Sequence, residues 1–173
     1  MIRDDVKRLL PYAEKPARYT GGELNTPPPK DRPLLKYLLC LPDVYEVAMS
    51  NLGIRILYDI LNMRPDTECH NCFAPWPDMG RLLKDNGIPL YALEDGSPMK
   101  AHDIVGFSLQ YELSYSNVVY MLRLGQVPVL RADRSEADPV VMAGGPCTVN
   151  PAPMSDIVDL FSIGDGEETL DRI

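Results

Sequence analysis

The sequence predicts an α/β protein: a mostly parallel sheet with helices on both of its faces. Two observations carry this. Short apolar runs end abruptly in glycine. Val140-Val141-Met142-Ala143 stops at Gly144-Gly145-Pro146, and Leu160-Phe161-Ser162-Ile163 stops at Gly164-Asp165-Gly166-Glu167-Glu168. Runs of this length bounded by Gly and Pro read as buried strands. Between such runs lie stretches with apolar residues at helical spacing, and a strand–helix alternation folds as a parallel sheet.

Residues 1–15 predict a short amphipathic helix with Val6, Leu9 and Leu10 on one side. Residues 16–33 hold Gly21-Gly22, Pro27-Pro28-Pro29 and Pro33 and read as an extended arm. The chain thus divides into an arm, 1–34, and a domain, 35–173. Lys36 to Leu41 is the first strand, ended by Pro42-Asp43. Ser50 is placed to cap a helix from Asn51 to Met63, with Leu52, Ile56, Ile60 and Met63 at helical spacing. Thr67 to Ala74 is a weaker strand. Asp78 to Asn86 is a helix stopped by Gly87. Pro89 to Leu93 reads as an edge strand because proline marks its start. The run Ile104-Val105-Gly106-Phe107-Ser108 predicts a strand, followed by a helix from Ser114 to Leu124 with Gly125 as its stop. A strand at Pro139–Ala143, a short helical turn near Ala152–Asp156, a strand at Val158–Ile163 and a final helix start complete the order.

Composition bounds the function. The 173 residues suffice for one domain with a real core, and 45% apolar and 24% charged residues are ordinary for a globular protein. A net charge of −8 argues against nucleic acid or an anionic membrane as the main partner. The apolar runs are far shorter than the roughly 20 residues of a membrane span. The charged start Met-Ile-Arg-Asp-Asp-Val-Lys-Arg has no signal-peptide core. A cytoplasmic protein is expected, with its four cysteines as free thiols. The chain stops at Asp171-Arg172-Ile173, inside an apparent helix start, which predicts a piece of a longer polypeptide.

In a parallel sheet, ligands sit at the carboxyl ends of the strands. Four segments leave those ends here: Asp43 to Asn51, Ser108 to Tyr111, Gly144 to Thr148, and Gly164 to Glu168. They combine hydroxyls, amides, backbone N–H groups and glycine gaps, which suits a large cofactor with a polar rim.

Three of these texts carry a resemblance. Val105-Gly106-Phe107-Ser108, Val141-Met142-Ala143-Gly144-Gly145-Pro146 and Ile163-Gly164-Asp165-Gly166-Glu167-Glu168 resemble the cobalamin-binding-type domain that precedes the catalytic domain in many radical SAM proteins. Arg18-Tyr19-Thr20-Gly21-Gly22-Glu23 and Phe73-Ala74-Pro75-Trp76-Pro77-Asp78 look like a branch of that superfamily in which arm, cobalamin-type domain and radical SAM domain are consecutive. The resemblance implies a flavodoxin-like, three-layer fold with a five-stranded sheet of order 2-1-3-4-5. It implies a corrinoid lying over the strand ends with its nucleotide tail beside the sheet. It places a [4Fe–4S] cluster and SAM in a radical SAM domain of the same polypeptide. The residues expected at the cofactor are Asp43, Tyr45, Ser50, Asn51, Ser108, Gln110, Tyr111, Gly144, Gly145, Pro146, Gly164, Gly166 and Glu167.

The chain departs from the pattern in two ways. The usual signature after the first strand is Asp-x-His-x-x-Gly, and here Tyr45 stands at the axial His and Ala48 at the Gly. No His ligand to cobalt is expected, and His70 and His102 fall outside the predicted site. Cys40, Cys69, Cys72 and Cys147 do not form the Cys-x-x-x-Cys-x-x-Cys that a radical SAM cluster needs, so this chain carries no radical chemistry of its own. It reads as a binding module.

Plainer roles stand beside these. Asp165 and Glu168 have capping-box spacing. Gly144-Gly145-Pro146 also suits a bare tight turn. Cys69 and Cys72 supply two ligands where a structural zinc takes four, and on a strand they face opposite sides. Cys40 reads as a core residue and Cys147 as a possible pocket wall. Trp76 reads as a loop anchor, and Glu46 and Glu112 as solvated. Two rival functions remain: a cofactor-free domain covering the barrel and gating substrate, and a flavin or nucleotide module. The second is weakened by the acidic Pro42-Asp43-Val44-Tyr45-Glu46, which would repel a phosphate after the first strand.

Overall fold

A computed structural model describes residues 3–170. Five strands form one all-parallel sheet: β1 (Leu35–Leu41), β2 (Thr67–Phe73), β3 (Ile104–Ser108), β4 (Val140–Gly144) and β5 (Leu160–Phe161). Their order is β2-β1-β3-β4-β5, as in flavodoxin-like folds. β1 reads Leu-Lys-Tyr-Leu-Leu-Cys-Leu, an almost unbroken apolar run, because an inner parallel strand is covered on both faces. Its register sets Cys40 beside Cys72 on β2 and beside Phe107 on β3, while Ser108 pairs with Gly144 on β4.

Helices α2 (Tyr45–Ser50) and α3 (Leu52–Met63) follow β1, α4 (Pro77–Asp85) follows β2, and α5 (Tyr115–Leu124) follows β3. The short α6 (Gly166–Thr169) follows β5. One face of the sheet, with Leu38, Cys40, Val105, Phe107 and Val141, packs on Met79 and Leu83 of α4 and on Val118, Met121 and Leu122 of α5. The other face, with Tyr37, Leu39, Leu41 and Cys69, packs on Ile54 and Leu61 of α3. Each fully buried side chain of this kind adds about 1.5–3 kcal/mol of hydrophobic stabilisation. Cys69 and Cys72 lie in opposite clusters, as alternation along a strand requires.

Residues 3–34 lie against this body. Helix α1 (Asp4–Leu9) and the turn after it bury Val6, Leu9 and Ala13, and Tyr19 is buried with them. Lys30 Nζ donates to the carbonyls of Asn62, Arg64 and Thr67, so the proline-rich stretch caps the end of α3.

Several elements differ from expectation. Residues 89–93 are no strand: Leu90 N–H donates to Leu124 O, Ala92 N–H to Ser97 O and Leu93 N–H to Asn71 O, so the donors disperse over three partners instead of forming a ladder. The single bridge there is Tyr91 with Pro98. The segment after β1 is not a loop but contains α2. Asn51, extended at φ −80° and ψ 109°, separates α2 from α3 and caps α3 by accepting from Ile54 N–H at 3.0 Å. Ser50 is therefore the end of α2 and not the cap. β5 spans two residues where six were expected, and the turn at Ala152–Met154 is a 3-10 turn. Residues 171–173 of the expected final helix and Met1-Ile2 of the first lie outside the described residues. Among the described residues no helix is long and apolar enough to cross a membrane.

Candidate functional site

The strand ends open into two adjoining cavities. The larger, 380 Å³, lies on the α3 face over β1, β3 and β4. Its size falls at the lower end of small-molecule sites, which run about 300–1,000 Å³. Eight expected residues line it: Ser108, Gln110, Gly144, Gly145, Pro146, Gly164, Gly166 and Glu167. The smaller, 140 Å³, is lined by Asp43, Val47, Asn51 and Tyr111 and shares Ser108 and Gln110 with the first. It sits between the ends of β1 and β3, where the strand order reverses, the usual place for a ligand in an open α/β sheet.

Backbone geometry holds these walls. Gly145 has φ +96° and ψ 179°, a conformation nearly closed to other residues, and a Cβ there would lie 2.9 Å from Leu109 O. The turn after β4 is thereby pressed onto the segment after β3. Leu109 N–H donates to Gly144 O at 2.8 Å and Cys147 N–H to Leu109 O at 3.1 Å. The buried Thr148 hydroxyl lies 2.8 Å from Gly145 O and 3.0 Å from Ser162 O, so the two glycine turns stand side by side. Across the other cavity, Tyr111 Oη donates to Asp43 Oδ2, and that bond raises the Tyr111 phenol above its ordinary value. Asn117 Nδ2 of α5 donates to Pro42 O at 2.9 Å and fixes the exit from β1. Gln110 Nε2 donates to Ser108 Oγ at 2.7 Å.

Two expected residues stand apart from both cavities. The Tyr45 hydroxyl donates to Glu23 Oε1 of the arm at 2.6 Å, and its ring meets Phe73 edge-on at 6.2 Å. Burial and the Glu23 carboxylate push its phenol up to about 12. Ser50 Oγ donates to Val47 O and is exposed.

The plainer readings also resolve. Asp165 precedes α6 and lines the larger cavity, but its side chain makes no bond to the helix, so the capping box does not form. Its carbonyl accepts from Glu168 and Thr169 instead. Glu46 is not simply solvated: Arg18 at 2.9 Å and Lys15 at 3.4 Å pair with it, and the Arg18 bond holds its carboxyl below the usual range. Arg18 also stacks over Trp76, 5.3 Å from the ring centroid, which anchors that loop to the arm. Cys147 is buried and is not among the cavity walls. His70 and His102 pair with each other at 3.2 Å, apart from both cavities.

The larger cavity contains walls that the strand-end reading missed: Tyr37, Leu39, Gly53, Leu57, Gly106, Met142 and Leu170 among them. Gly106 carried a usable signal. Glycine inside an apolar strand marks a close approach, and here a Cβ would sit 1.9 Å from Tyr37 Oη. The Tyr37 ring crosses β3 in the space that Gly106 leaves. Burial pushes its phenol up, so it remains a proton donor.

Residues 53–173, more than half of the chain, match the family described as radical SAM proteins, N-terminal. The match begins inside α3 and takes in β2 to β5 with both glycine turns, but not β1 or the arm. No curated protein and no solved structure matches the chain. With its flavodoxin-like sheet and this match, the chain belongs to the family of N-terminal regions of radical SAM proteins.

Proposed function

We propose that this chain is the cofactor-holding module of a radical SAM protein. It carries a corrinoid over the strand ends and presents it to a radical SAM domain of the same polypeptide. The carrying observation is the pair of adjoining cavities at the switch point, the larger walled by glycines from α3, β3, β4 and both strand-end turns. A corrin ring is too large for either cavity and would lie across their mouths, on Asp43, Tyr111, Gly145 and Pro146. The 380 Å³ cavity would take the nucleotide tail: its walls are mainly apolar or glycine, with the Asp165 and Glu167 carboxylates among them, and a Cβ at Gly144 would meet only Ser162 Cβ, at the ordinary contact distance of 3.9 Å. When bound, a corrinoid supplies a cobalt centre that carries a methyl group or steers a radical. Neither His70 nor His102 is placed to ligate it. Tyr111 and Asp43 would position the ring's rim, and the cavity would exclude water from the tail. The [4Fe–4S] cluster and SAM belong to the partner domain, since the four cysteines here are buried and lack the cluster spacing.

A second reading, a cofactor-free cover that gates substrate at the barrel, draws on Tyr45 and Ala48. Tyr45 is engaged by the arm through Glu23, and Ala48 is fully buried. The first strand-end segment thus packs on its own chain.

Mixing the protein with hydroxocobalamin, desalting and recording the visible spectrum separates the two. Retained corrinoid absorbance is the expected outcome. Gly144→Leu, which adds a bulky side chain at a wall of the larger cavity where a Cβ meets only Ser162 Cβ, at 3.9 Å, is expected to abolish it. Absence of the band with the wild-type protein would leave the cofactor-free cover standing.

A further inference from the structure

Two buried imidazoles lie at the outer edge of the sheet, away from the strand-end cavities. His70 of β2 is 6% exposed, and His102, two residues before β3, is 4% exposed. His70 Nδ1 and His102 Nε2 are 3.2 Å apart, with the rings edge to face. His102 Nδ1 faces Pro98 O at 3.2 Å and Met99 O at 3.3 Å; a carbonyl only accepts, so Nδ1 carries its hydrogen. In the neutral ring Nε2 then holds a lone pair, and His70 Nδ1–H donates to it. One further proton fits on His70 Nε2 without disturbing this bond. A second does not fit: two N–H groups and two positive charges would face each other across 3.2 Å in a buried site. The charges that act on the pair are the carboxylates of Glu94 and Asp95, with Asp95 Oδ1 3.8 Å from His70 Nδ1. Lys100 is turned to Asp138, and Asp103 to the Lys36 N–H. On the sheet face that carries His70, its neighbours Leu38, Cys40 and Cys72 are neutral. The same turn grips the edge of the sheet. Leu93 N–H donates to Asn71 O, and Asn71 N–H and Nδ2 donate to the Glu94 carboxylate, each at 2.8 Å.

We propose that His70 and His102 form a proton-operated latch, which holds the turn at 94–98 on the β2 edge while at most one ring is charged and frees it when both are. The latch is independent of the corrinoid reading. Burial and the neighbouring His70 hold the His102 imidazole below its ordinary value. Its contribution is therefore complete above about 6.5 and is lost as pH falls through the lower folded value. The flanking carboxylates do not produce that loss. Burial holds Glu94 above the usual range, so its protonation favours the closed turn. Asp95 is held below the usual range, against the effect of burial, by its bonds from Ser97, and its loss begins only under about 3.9.

The test is amide hydrogen exchange of wild type and His70→Gln by NMR at about pH 7.5 and pH 5, corrected for the intrinsic exchange rate. Glutamine keeps an N–H donor for His102 and carries no charge. In wild type the protection of the Leu93 amide is expected to fall by about tenfold for each pH unit within the window, while the amides of the inner strand β1 keep theirs. In His70→Gln the fall is expected to shrink to less than about threefold over the whole interval. Unchanged protection of Leu93 in wild type overturns the latch. An equal fall in wild type and His70→Gln places the responsible proton elsewhere, and an equal fall across β1 means global unfolding; each overturns it as well. Ring signals of wild type give a check that needs no variant. Two charged imidazoles with Leu93 still protected would overturn the latch, and loss of protection in step with the second charge supports it.

Discussion

Two adjacent glycines should respond in opposite ways to one methyl group. At Gly145 the backbone stands at φ +96° and ψ 179°, where an alanine is strained by about 1–3 kcal/mol. The new Cβ would also meet Leu109 O at 2.9 Å and Leu109 N at 3.2 Å, both main-chain atoms that cannot swing away. Moving Leu109 disturbs its bonds with Gly144 O and Cys147 N–H, each worth about 0.5–1.5 kcal/mol. Gly145→Ala is therefore expected to cost about 2–4 kcal/mol in all. At about 2–4 °C per kcal/mol for a chain of this size, Tm falls by about 5–15 °C. Gly144 lies at the end of β4 without a left-handed backbone, and its Cβ would have 3.9 Å of clearance from Ser162 Cβ. Alanine in a strand outdoes glycine by about 0.5–1 kcal/mol, so Gly144→Ala should hold or raise Tm. Thermal and urea unfolding of the two variants beside wild type measure this. Equal midpoints for the pair would refute the claim that the turn after β4 is pressed onto the segment after β3.

Other outcomes follow from the same geometry. Lys30→Met removes the ammonium that serves three carbonyls at the end of α3, and is expected to cost about 1.5–3 kcal/mol and to speed proteolytic cleavage within residues 20–30. Unchanged cleavage would mean the arm is held elsewhere. The Lys100 hydrogen bond, with two bonds from Ser135, holds the Asp138 carboxyl down to about 2. Its folded value is depressed, so its contribution is complete above the unfolded value of about 3.9 and is lost as pH falls through 2. Stability curves of wild type and Asp138→Asn should therefore differ at pH 6 and converge towards pH 2. A difference that persists at pH 2 would assign the loss to packing.

Much of the fold was legible because its signals are local. The apolar runs of β1, β3 and β4 need no partner to be recognised, since strands covered on both faces carry no polar residue in their middles. Gly87 stops α4 at φ +65°, where the sequence placed the stop. The failures are places where several partners compete for one segment. Residues 89–93 look like a strand until their N–H groups are found spread over α5, the turn at Ser97 and β2. Ser50 and Asn51 are both good caps, and only the backbone break at Asn51 decides between them. Tyr45 was expected at the cofactor from its place after β1, but α2 turns it towards Glu23 of the arm.

The sequence by itself determined the class of sheet, the positions of four of its strands and the two glycine turns at its carboxyl edge. These follow from hydrophobic runs and from φ angles that few residues other than glycine accept. Tertiary structure alone decided which residues face one another there. It joined Ser108 and Gln110 to both cavities, turned Tyr45 and Ser50 away, and laid Tyr37 across Gly106 to make the floor. Those outcomes depend on side chains brought together from segments 22 to 105 residues apart in sequence. No local pattern specifies them, because the direction of each side chain is set by the packing of its neighbours.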